Sequence, residues 1–582
     1  MQRSLFALAL AGIVASSPAL AAAPRKGAAK SSAHKKPPAK SASKKKPTAS
    51  RSAAKGKSSA AAKGKQVVKA PIKKKHDTIT LPLGADVVAE PRVVELREQL
   101  QSALREKPLS RSRVGVQVIT ASDGKVLFDH YGGRLFNPAS NTKILSTAAA
   151  LTELGPDYRY RTRLYGPEPD CDGVVHGDVE VRGAGDPSLV TADLAEIARS
   201  LVARGVTKID GSVIADGRFR DARDNTPGEG GALILNRNTY TIRIHPGEVG
   251  HNATLELDPE TDFFALHSAV TTVDGKKKNR LRADISREDG KLAVTVRGRI
   301  NVKSDAVIRR RIGDGATLVA ALVRRALIDF GIDVTGGVRG GALAANTPLL
   351  CEHESIPLAE ICRVSNKDSN NFVADTIFKT VGGERVGGAP SLAKGRIAVR
   401  DLMTPIGVEP PEYVIENGSG LTHANRIAPS TLVKLLRHLY FNLTVAPEFL
   451  ASLAVAGVDG TIRNRFLGSD AVGLVRAKTG TLSGVSALSG YVGDTGEIVI
   501  FSILVEGFRH SKLKAIRGAQ VRMVLAMLRY LHAGEPPRGA HPAAETPIVV
   551  PDDSEDDGDP SDDPMTPPGE AMGNVIGSGG GE

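Results

Sequence analysis

The chain lacks tryptophan altogether and has only three cysteines and 4% aromatic residues in 582 positions. Three cysteines are too few for a disulfide framework, and no Cys-x-x-Cys or His-rich spacing indicates a metal site. Beyond the first twenty residues no segment approaches 18 consecutive apolar positions, so the sequence predicts no membrane-spanning helix in the mature chain. Any chemistry is therefore expected to come from ordinary polar side chains.

Acidic residues are missing from one end of the chain and basic residues from the other. The stretch 24–76 contains 18 Lys or Arg and no acid, whereas 551–582 contains ten Asp or Glu and no base. With few large apolar residues, 22–80 is predicted to be a disordered basic segment and 534–582 a disordered acidic tail. The basic segment fits either a solvated spacer or attachment to an anionic envelope polymer or membrane surface.

The N-terminus has the pattern of a signal peptide. Arg3 precedes the apolar run 5–15, and Ala19-Leu20-Ala21 offers a cleavage site for small residues. We predict a signal peptide over 1–21 and an exported protein, periplasmic or extracytoplasmic. Export makes nucleic acid an unexpected partner.

A serine and a lysine lie three residues apart at a predicted helix start. Asn137 suits the N-cap, Pro138 suits the first helical position, and an Ala/Leu-rich run continues to Gly155. Ser140 and Lys143 then share one helix face. Lys143 could take the Ser140 proton if burial and neighbouring cations lower its pKa, although a capped helix with an incidental lysine has the same pattern.

Two further motifs follow in order, each in a suitable local setting. A β hairpin precedes the Ser140 helix, and many short β-type runs with one helical piece near 318–330 follow it. Ser369-x-Asn371 then falls in a polar turn between two helices, and Lys478-Thr479-Gly480 falls in a strand. These positions divide the chain into a catalytic domain, 81–165 and 345–533, and inserted β-rich modules, 166–344.

The ordered set is the signature of serine acyl-transfer enzymes that recognise penicillin. Over about residues 88–532 the chain resembles the class C low-molecular-mass penicillin-binding proteins, the D-alanyl-D-alanine carboxypeptidase/endopeptidase family. Further stretches carry the same resemblance: Phe136-Asn-Pro-Ala-Ser-Asn-Thr-Lys, Leu154-Gly-Pro-Asp-Tyr-Arg-Tyr, Gly183-Ala-Gly-Asp-Pro-Ser-Leu, Asn417-Gly-Ser-Gly-Leu and Ala456-Gly-Val-Asp-Gly-Thr. It implies an α+β fold of the penicilloyl-serine transferase (β-lactamase/transpeptidase-like) type, an antiparallel sheet flanked by helices beside a helical lobe.

The resemblance also implies roles for the motif residues, with no cofactor and no metal. Ser140 would attack the penultimate D-alanine carbonyl of a peptidoglycan stem peptide, with Lys143 as base and Ser369 passing a proton to the leaving amine. The remaining site residues would bind substrate. Asn371 would hold its amide, Lys478, Thr479 and Thr481 its carboxylate, and Gly480 lies between them. Backbone N–H groups of Ser140 and Thr481 would form the oxyanion hole.

Three functions remain open at this point. The first is a D-Ala-D-Ala carboxypeptidase or D,D-endopeptidase inhibited by β-lactams, and the sequence does not separate these two activities. The second is a β-lactamase, disfavoured because no Glu-x-x-x-Asn loop supplies a deacylating base. The third is a catalytically silent wall-binding protein, disfavoured by the intact motifs. The Ser-Asn-Asn version of the second motif, in place of Ser-Asp-Asn, is expected to matter little.

The remaining candidates carry structural predictions. A disulfide between Cys171 and Cys351 at the neck of the insertion is conceivable, and Cys362 is predicted to be a buried thiol. Asp186, in a Gly-rich turn, is predicted to be structural.

Overall fold

The computed structural model describes residues 90–217, 231–288, 291–312, 315–494 and 496–533, and the backbone of a two-residue strand at 576–577. All of these belong to one compact unit that spans His76–Glu582. The predicted signal peptide, the basic segment 22–80 and the acidic tail, apart from 576–577, lie outside the described residues. No helix in the described ranges is both long and apolar enough to cross a bilayer.

A six-stranded antiparallel sheet forms the centre of the catalytic region. Its two middle strands, Val485–Val492 and Val499–Glu506, are buried at every position, because helices cover both faces. The hairpin predicted before the Ser140 helix is confirmed and forms one edge. In spatial order the strands are Ala454–Val455, Val475–Leu482, Val485–Val492, Val499–Glu506, Arg113–Thr120 and Val126–His130.

Helices pack on each side of this sheet, as predicted. On one face Pro91–Arg105 and Leu513–His532 pack against each other and against strand residues such as Val116 and Ile503. The other face meets a helical lobe with its own core. The lobe contains Thr142–Leu154, Leu358–Lys367, Asn371–Val386, Leu392–Met403, Pro429–Phe441 and Ala446–Ser452, with the short strand pair Tyr413–Val414 and Arg426–Ile427.

The insertion forms a second hydrophobic core that is separate from the other two. It is β-rich as predicted, and the expected helix is present as Gly315–Asp329. A further helix, Leu194–Ala203, was not predicted, although its buried Leu194, Ile197, Ala198 and Leu201 follow helical spacing. The strands around this core are Arg161–Tyr165, Val174–Val175, Val179–Arg182, Lys208–Ile209, Val213–Asp216, Thr239–His245, Thr254–Asp258, Phe264–Val273, Arg280–Glu288, Lys291–Asn301, Ala306–Arg311, Asp333–Val334, Val338–Gly340 and Leu349–Glu354.

The inserted module touches the lobe close to the second motif. Ile234 belongs to the module by sequence but packs in the hydrophobic core of the lobe, with 2% of its surface exposed. The Arg311 guanidinium lies 5.8 Å from the centroid of the Phe372 ring, on the helix that begins at Asn371. The module therefore reaches the helix that carries part of the predicted site.

The suggested bridge between Cys171 and Cys351 is wrong: all three cysteines are free. Cys171 is exposed in a turn, whereas the Cys351 thiol packs in the module core toward the Ile197 carbonyl. Cys362 is a buried core thiol, as predicted. Asp186 is buried and accepts hydrogen bonds from the backbone and hydroxyl of Ser188, which fits the predicted structural part in its turn.

Candidate active site

Ser140 lies in a short turn that precedes its helix. Ala139–Asn141 form one 3-10 turn, and the α-helix begins only at Thr142, later than the predicted Asn137 cap. The Asn137 amide oxygen still caps this turn by accepting from the Ala139 N–H at 2.7 Å. Ala139 has φ of 45°, a conformation that costs a non-glycine residue on the order of 1 kcal/mol. The local strain is located directly beside the Ser140 hydroxyl.

Lys143 is fully buried and joins three parts of the chain. Its Nζ lies 2.8 Å from Ser140 Oγ, 2.5 Å from Asn371 Oδ1 and 2.9 Å from the Ser419 carbonyl oxygen. The amide and carbonyl oxygens can only accept hydrogen bonds, so Nζ must donate to both. The same amine lies within hydrogen-bond reach of the Ser140 hydroxyl, so the geometry places Lys143 where it can exchange a proton with the serine.

The Ser419 carbonyl is held in place by a carboxylate that the sequence analysis did not assign. Asp375 Oδ1 accepts the N–H groups of Gly418 and Ser419, each at 2.7 Å. Gly420, at φ of 84°, passes so close to the serine turn that a Cβ there would lie 1.9 Å from the Ala139 carbonyl oxygen. The Asn417-Gly-Ser-Gly stretch, known until now only as part of a resemblance, thus supplies a hydrogen-bond acceptor to Lys143.

Ser369 and Lys478 form a second hydroxyl–amine pair. Ser369 stands at φ of 58° in the interhelical turn, and Lys478 Nζ lies 2.8 Å from its Oγ and 3.0 Å from the Thr479 carbonyl oxygen. Burial, then Lys143 in its protonated form, and then the Arg465 guanidinium hold the pKa of Lys478 well below its usual range. A lysine in this setting exchanges a proton at a pH where a surface lysine would not.

Asn370, the middle residue of the second motif, caps the helix that follows it. Its side-chain oxygen accepts the Val373 N–H at 2.9 Å and so caps the helix that begins at Asn371. Aspartate is an equally good N-cap. The Asn370 side chain supports the turn, while Ser369 and Asn371 face the lysines.

The strand Val475–Leu482 lies directly against the serine turn. A Cβ on Gly480 would lie 2.7 Å from the Pro138 carbonyl oxygen and 3.0 Å from Ser140 N, so glycine allows this approach. Thr479 Oγ1 lies 2.8 Å from Thr461 Oγ1, and the Thr481 hydroxyl accepts from the Arg517 guanidinium at 3.2 Å.

The structure brings together all of the residues that the sequence singled out: Ser140, Lys143, Ser369, Asn371, Lys478, Thr479, Gly480 and Thr481. No role was assigned from the sequence to Asp375, Arg465 or Arg517, which lie outside the motifs. Ser419 and Thr461 lie inside two of the stretches that carry the resemblance, but neither residue was assigned a role there. Within the described ranges, no three His, Cys, Asp or Glu side chains are grouped as a metal site requires.

This sheet, its helices and the paired serine–lysine contacts define the penicilloyl-serine transferase class of fold. Residues 96–527 match the family model described as the D-Ala-D-Ala carboxypeptidase 3 (S13) family. The chain belongs to this family and is a serine-type D-Ala-D-Ala carboxypeptidase.

Individual relatives agree with the family assignment. A D-alanyl-D-alanine carboxypeptidase of Actinomadura sp. (strain R39) is 32% identical over 445 residues, which cover 72% of this chain and 82% of the relative. The carboxypeptidase DacB of Haemophilus influenzae is 24% identical, over 71% of this chain and 89% of its own length. The crystal structure of penicillin binding protein 4 (dacB) from that organism superposes with a TM-score of 0.62 at 23% identity, covering 74% of this chain and 99% of that one.

Proposed function

We propose that Ser140 is the nucleophile of a D-Ala-D-Ala peptidase reaction on peptidoglycan stem peptides. Its Oγ attacks the carbonyl carbon of the penultimate D-alanine, the peptide bond breaks, and terminal D-alanine leaves with a proton. Water then hydrolyses the ester and regenerates the Ser140 hydroxyl. The observation that carries the proposal is the position of the buried Lys143 Nζ, which lies 2.8 Å from Ser140 Oγ while it donates to Asn371 and the Ser419 carbonyl.

Lys143 acts as the general base in this scheme. The role requires a neutral amine within hydrogen-bond reach of the nucleophile, and the distance to Oγ is 2.8 Å. Asn371 and the Ser419 carbonyl orient the amine by accepting its two N–H groups. Asp375 fixes that carbonyl and is a positioning residue.

Ser369 and Lys478 serve the leaving group. The Ser369 hydroxyl, 2.8 Å from Lys478 Nζ, can pass a proton to the departing amine, and Lys478 can replace it. Thr479, Gly480 and Thr481 face the substrate carboxylate, supported by the Arg517 contact with Thr481. The N–H groups of Ser140 and Thr481 form the oxyanion hole, which the close approach at Gly480 supports.

The same groups cleave a D,D cross-link when the leaving amine belongs to a neighbouring stem peptide, so the proposal covers carboxypeptidase and endopeptidase action. β-Lactams fit as covalent inhibitors, because their strained amide presents the same carbonyl to Ser140. The Haemophilus influenzae protein has also been crystallised with a novel β-lactam, and a relative from Dictyostelium discoideum is named penicillin-sensitive carboxypeptidase A.

The proposal extends to domain organisation and location. We assign 81–165 and 345–533 to the catalytic domain and 166–344 to the inserted module. Residues 1–21 are proposed to direct export to a periplasmic or other extracytoplasmic site, where peptidoglycan is accessible. The segment 22–80 is proposed to bind an anionic envelope polymer or a membrane surface, because it carries 18 Lys or Arg without a single acid between residues 24 and 76.

The decisive experiment offers the purified chain two substrates, a stem pentapeptide ending in D-Ala-D-Ala and a cross-linked muropeptide dimer. We expect release of D-alanine or monomer from the wild-type chain and from Ser483→Ala, an exposed serine in the turn after the Lys478 strand. Ser140→Ala should release neither product. Absence of product from the wild type would favour the silent wall-binding alternative. A separate incubation with penicillin tests the β-lactamase alternative, which turnover of the penicillin adduct within seconds would favour.

A further inference from the structure

The inserted module carries a concentration of positive charge on one sheet face. In the antiparallel pair Arg280–Glu288 with Lys291–Asn301, Arg280 lies directly opposite Arg299, and Arg282 lies directly opposite Arg297. Side chains opposite each other have Cβ atoms about 5 Å apart, and like charges at that distance destabilise a sheet. We call this surface, defined by Arg280, Arg282, Arg297 and Arg299, the basic face.

Acidic side chains of the described residues neutralise the basic face only in part. Asp284 lies 2.8 Å from Arg282 and 3.9 Å from Arg297. No carboxylate in the described ranges lies within 4 Å of Arg280 or Arg299. All four arginines are exposed, and the side chains of Arg282 and Arg297 are 63% and 65% exposed. The paired arginines on this exposed sheet face therefore repel each other, and this repulsion is only partly offset.

Three consecutive lysines extend the basic face. Lys276, Lys277 and Lys278 are exposed in the turn before Arg280. The turn is attached to the sheet, because the Asn301 side chain donates to the Lys277 carbonyl at 2.8 Å and Arg299 donates to the Lys278 carbonyl at 3.4 Å. These lysines therefore stay beside the arginines, and the whole surface fits a flexible polyanion.

The chain itself contains a segment of complementary charge. Residues 551–582 have ten Asp or Glu and no Lys or Arg, and eight of these acids lie between Asp552 and Asp563. Because it is tethered to the basic face by the chain, such a segment has an effective concentration there on the order of millimolar. An external polymer of equal affinity must exceed that concentration to displace it. Charge complementarity and covalent attachment together favour the tail over a separate molecule.

The position of strand 576–577 favours the same occupant. Ile576–Gly577 pairs antiparallel with Ala306 and Val307, which open the strand that follows Lys291–Asn301 after a four-residue connection. The twelve residues between Asp563 and Ile576 can span at most about 40 Å. A tether of this length gives the acidic run a short path to the inserted module.

We propose that the acidic C-terminal tail, residues 551–582, docks on the basic face of the inserted module. The contact is electrostatic, so salt weakens it and an added polyanion competes with it. The rival intramolecular partner of the tail is the basic segment 24–76, which also carries 18 Lys or Arg and no acid.

Zero-length carbodiimide cross-linking of the full chain, followed by peptide mass spectrometry, tests the contact. We expect amide links between Lys276–Lys278 and the acids of 552–563, which disappear in 0.5 M salt, where the Debye length is about 4 Å. The quadruple variant R280S/R282S/R297S/R299S should lower their yield by about fivefold or more. The control variant R105S/K107S/R111S/K514S, four exposed cations outside the module, should keep the wild-type yield.

Tail links confined to lysines of 24–76, or an equal yield in the quadruple variant, would overturn the proposal. A second measurement uses inorganic polyphosphate as the probe. The chain ending at Ala533 should bind it roughly tenfold more tightly than the full chain, and the quadruple variant should abolish this difference. An unchanged affinity after tail removal would assign the basic face to an external polyanion and contradict the tail as its occupant.

Discussion

The active site buries its two lysines, whereas the basic face of the inserted module exposes its four arginines. Lys143 and Lys478 have no exposed surface, and each is surrounded by hydrogen-bond partners from distant parts of the sequence. The four arginines of the basic face lie on a solvent surface, where Asp284 lies within 4 Å of Arg282 and Arg297. A buried charge needs partners that the fold holds in place, whereas a solvent-exposed charge does not.

The largest expected effect comes from removing the base. Lys143→Ala should slow acylation by about 10³-fold or more, because the Ser140 hydroxyl loses the group that takes its proton. Stopped-flow kinetics with a fluorescent penicillin measures this rate. Lys434→Ala, a half-buried lysine on a neighbouring helix, is the matched control. A loss below tenfold in Lys143→Ala would remove Lys143 from the proposed role.

Lys478→Met should separate activity from stability. Acylation is expected to fall by roughly 10²–10³-fold, because the Ser369 hydroxyl loses the amine that replaces its proton. The free energy of unfolding of this variant should instead rise above that of the wild type at pH 7. Burial lowers the pKa of Lys478 in the folded state, so the unfolded chain binds more protons between the two pKa values, and unfolding free energy rises with pH in that window.

Urea unfolding at pH 7 and pH 9 tests this sign. The wild type should gain stability between the two values relative to Lys478→Met, and the variant should be the more stable of the two at pH 7. If Lys478→Met is less stable than the wild type at pH 7, the hydrogen bonds of Lys478 outweigh the cost of burying its amine.

Asp375→Ala should cost about 2–4 kcal/mol of unfolding free energy, because the Gly418 and Ser419 N–H groups lose their acceptor inside the protein. Acylation should fall about tenfold as the Ser419 carbonyl shifts away from Lys143. Asp375→Asn keeps an oxygen for both donors and should recover most of the rate. Equal losses in the two variants would point to the carboxylate charge instead of its position.

Ile234→Ala tests whether the two regions are independent, and we expect the smallest effect on the chemistry here. Ile234 belongs to the module by sequence but is buried in the lobe core, so its truncation should cost about 2–4 kcal/mol. Ile328→Ala, at a side chain that is 40% exposed in the module, should cost less than about 0.5 kcal/mol. Similar values for both variants, measured by thermal unfolding, would mean that the module contact carries little stability.

The sequence predicted those features whose physics is local. Helix periodicity, the hairpin and the three motifs placed Ser140, Ser369 and Lys478 on the correct elements. It did not predict the 3-10 turn before Thr142 or the positive φ of Ala139, because the close packing of Gly420 and Gly480 against that turn involves residues far away in the chain. The suggested Cys171–Cys351 bridge failed for the same reason, since proximity to the neck in sequence did not fix the direction of either thiol.

The residues that support the site from behind were equally unpredictable from local sequence patterns. Asp375 acts through backbone N–H groups more than 40 positions away, and Thr461, at the end of the Ala456-Gly-Val-Asp-Gly-Thr stretch, meets Thr479 from 18 positions away. Helix Leu194–Ala203 was a different case, because its spacing of buried residues was visible in the sequence and was overlooked among the surrounding β signals.

The most direct test of the account is the identity of the residue that becomes acylated. After incubation with benzylpenicillin, peptide mass spectrometry should find one penicilloyl group, attached to the peptide that contains Ser140 and located on its Oγ. Ser483→Ala should give the same adduct, and Ser140→Ala should give none while its unfolding temperature stays unchanged. An adduct on another residue, or an unmodified wild-type chain, would contradict Ser140 as the nucleophile.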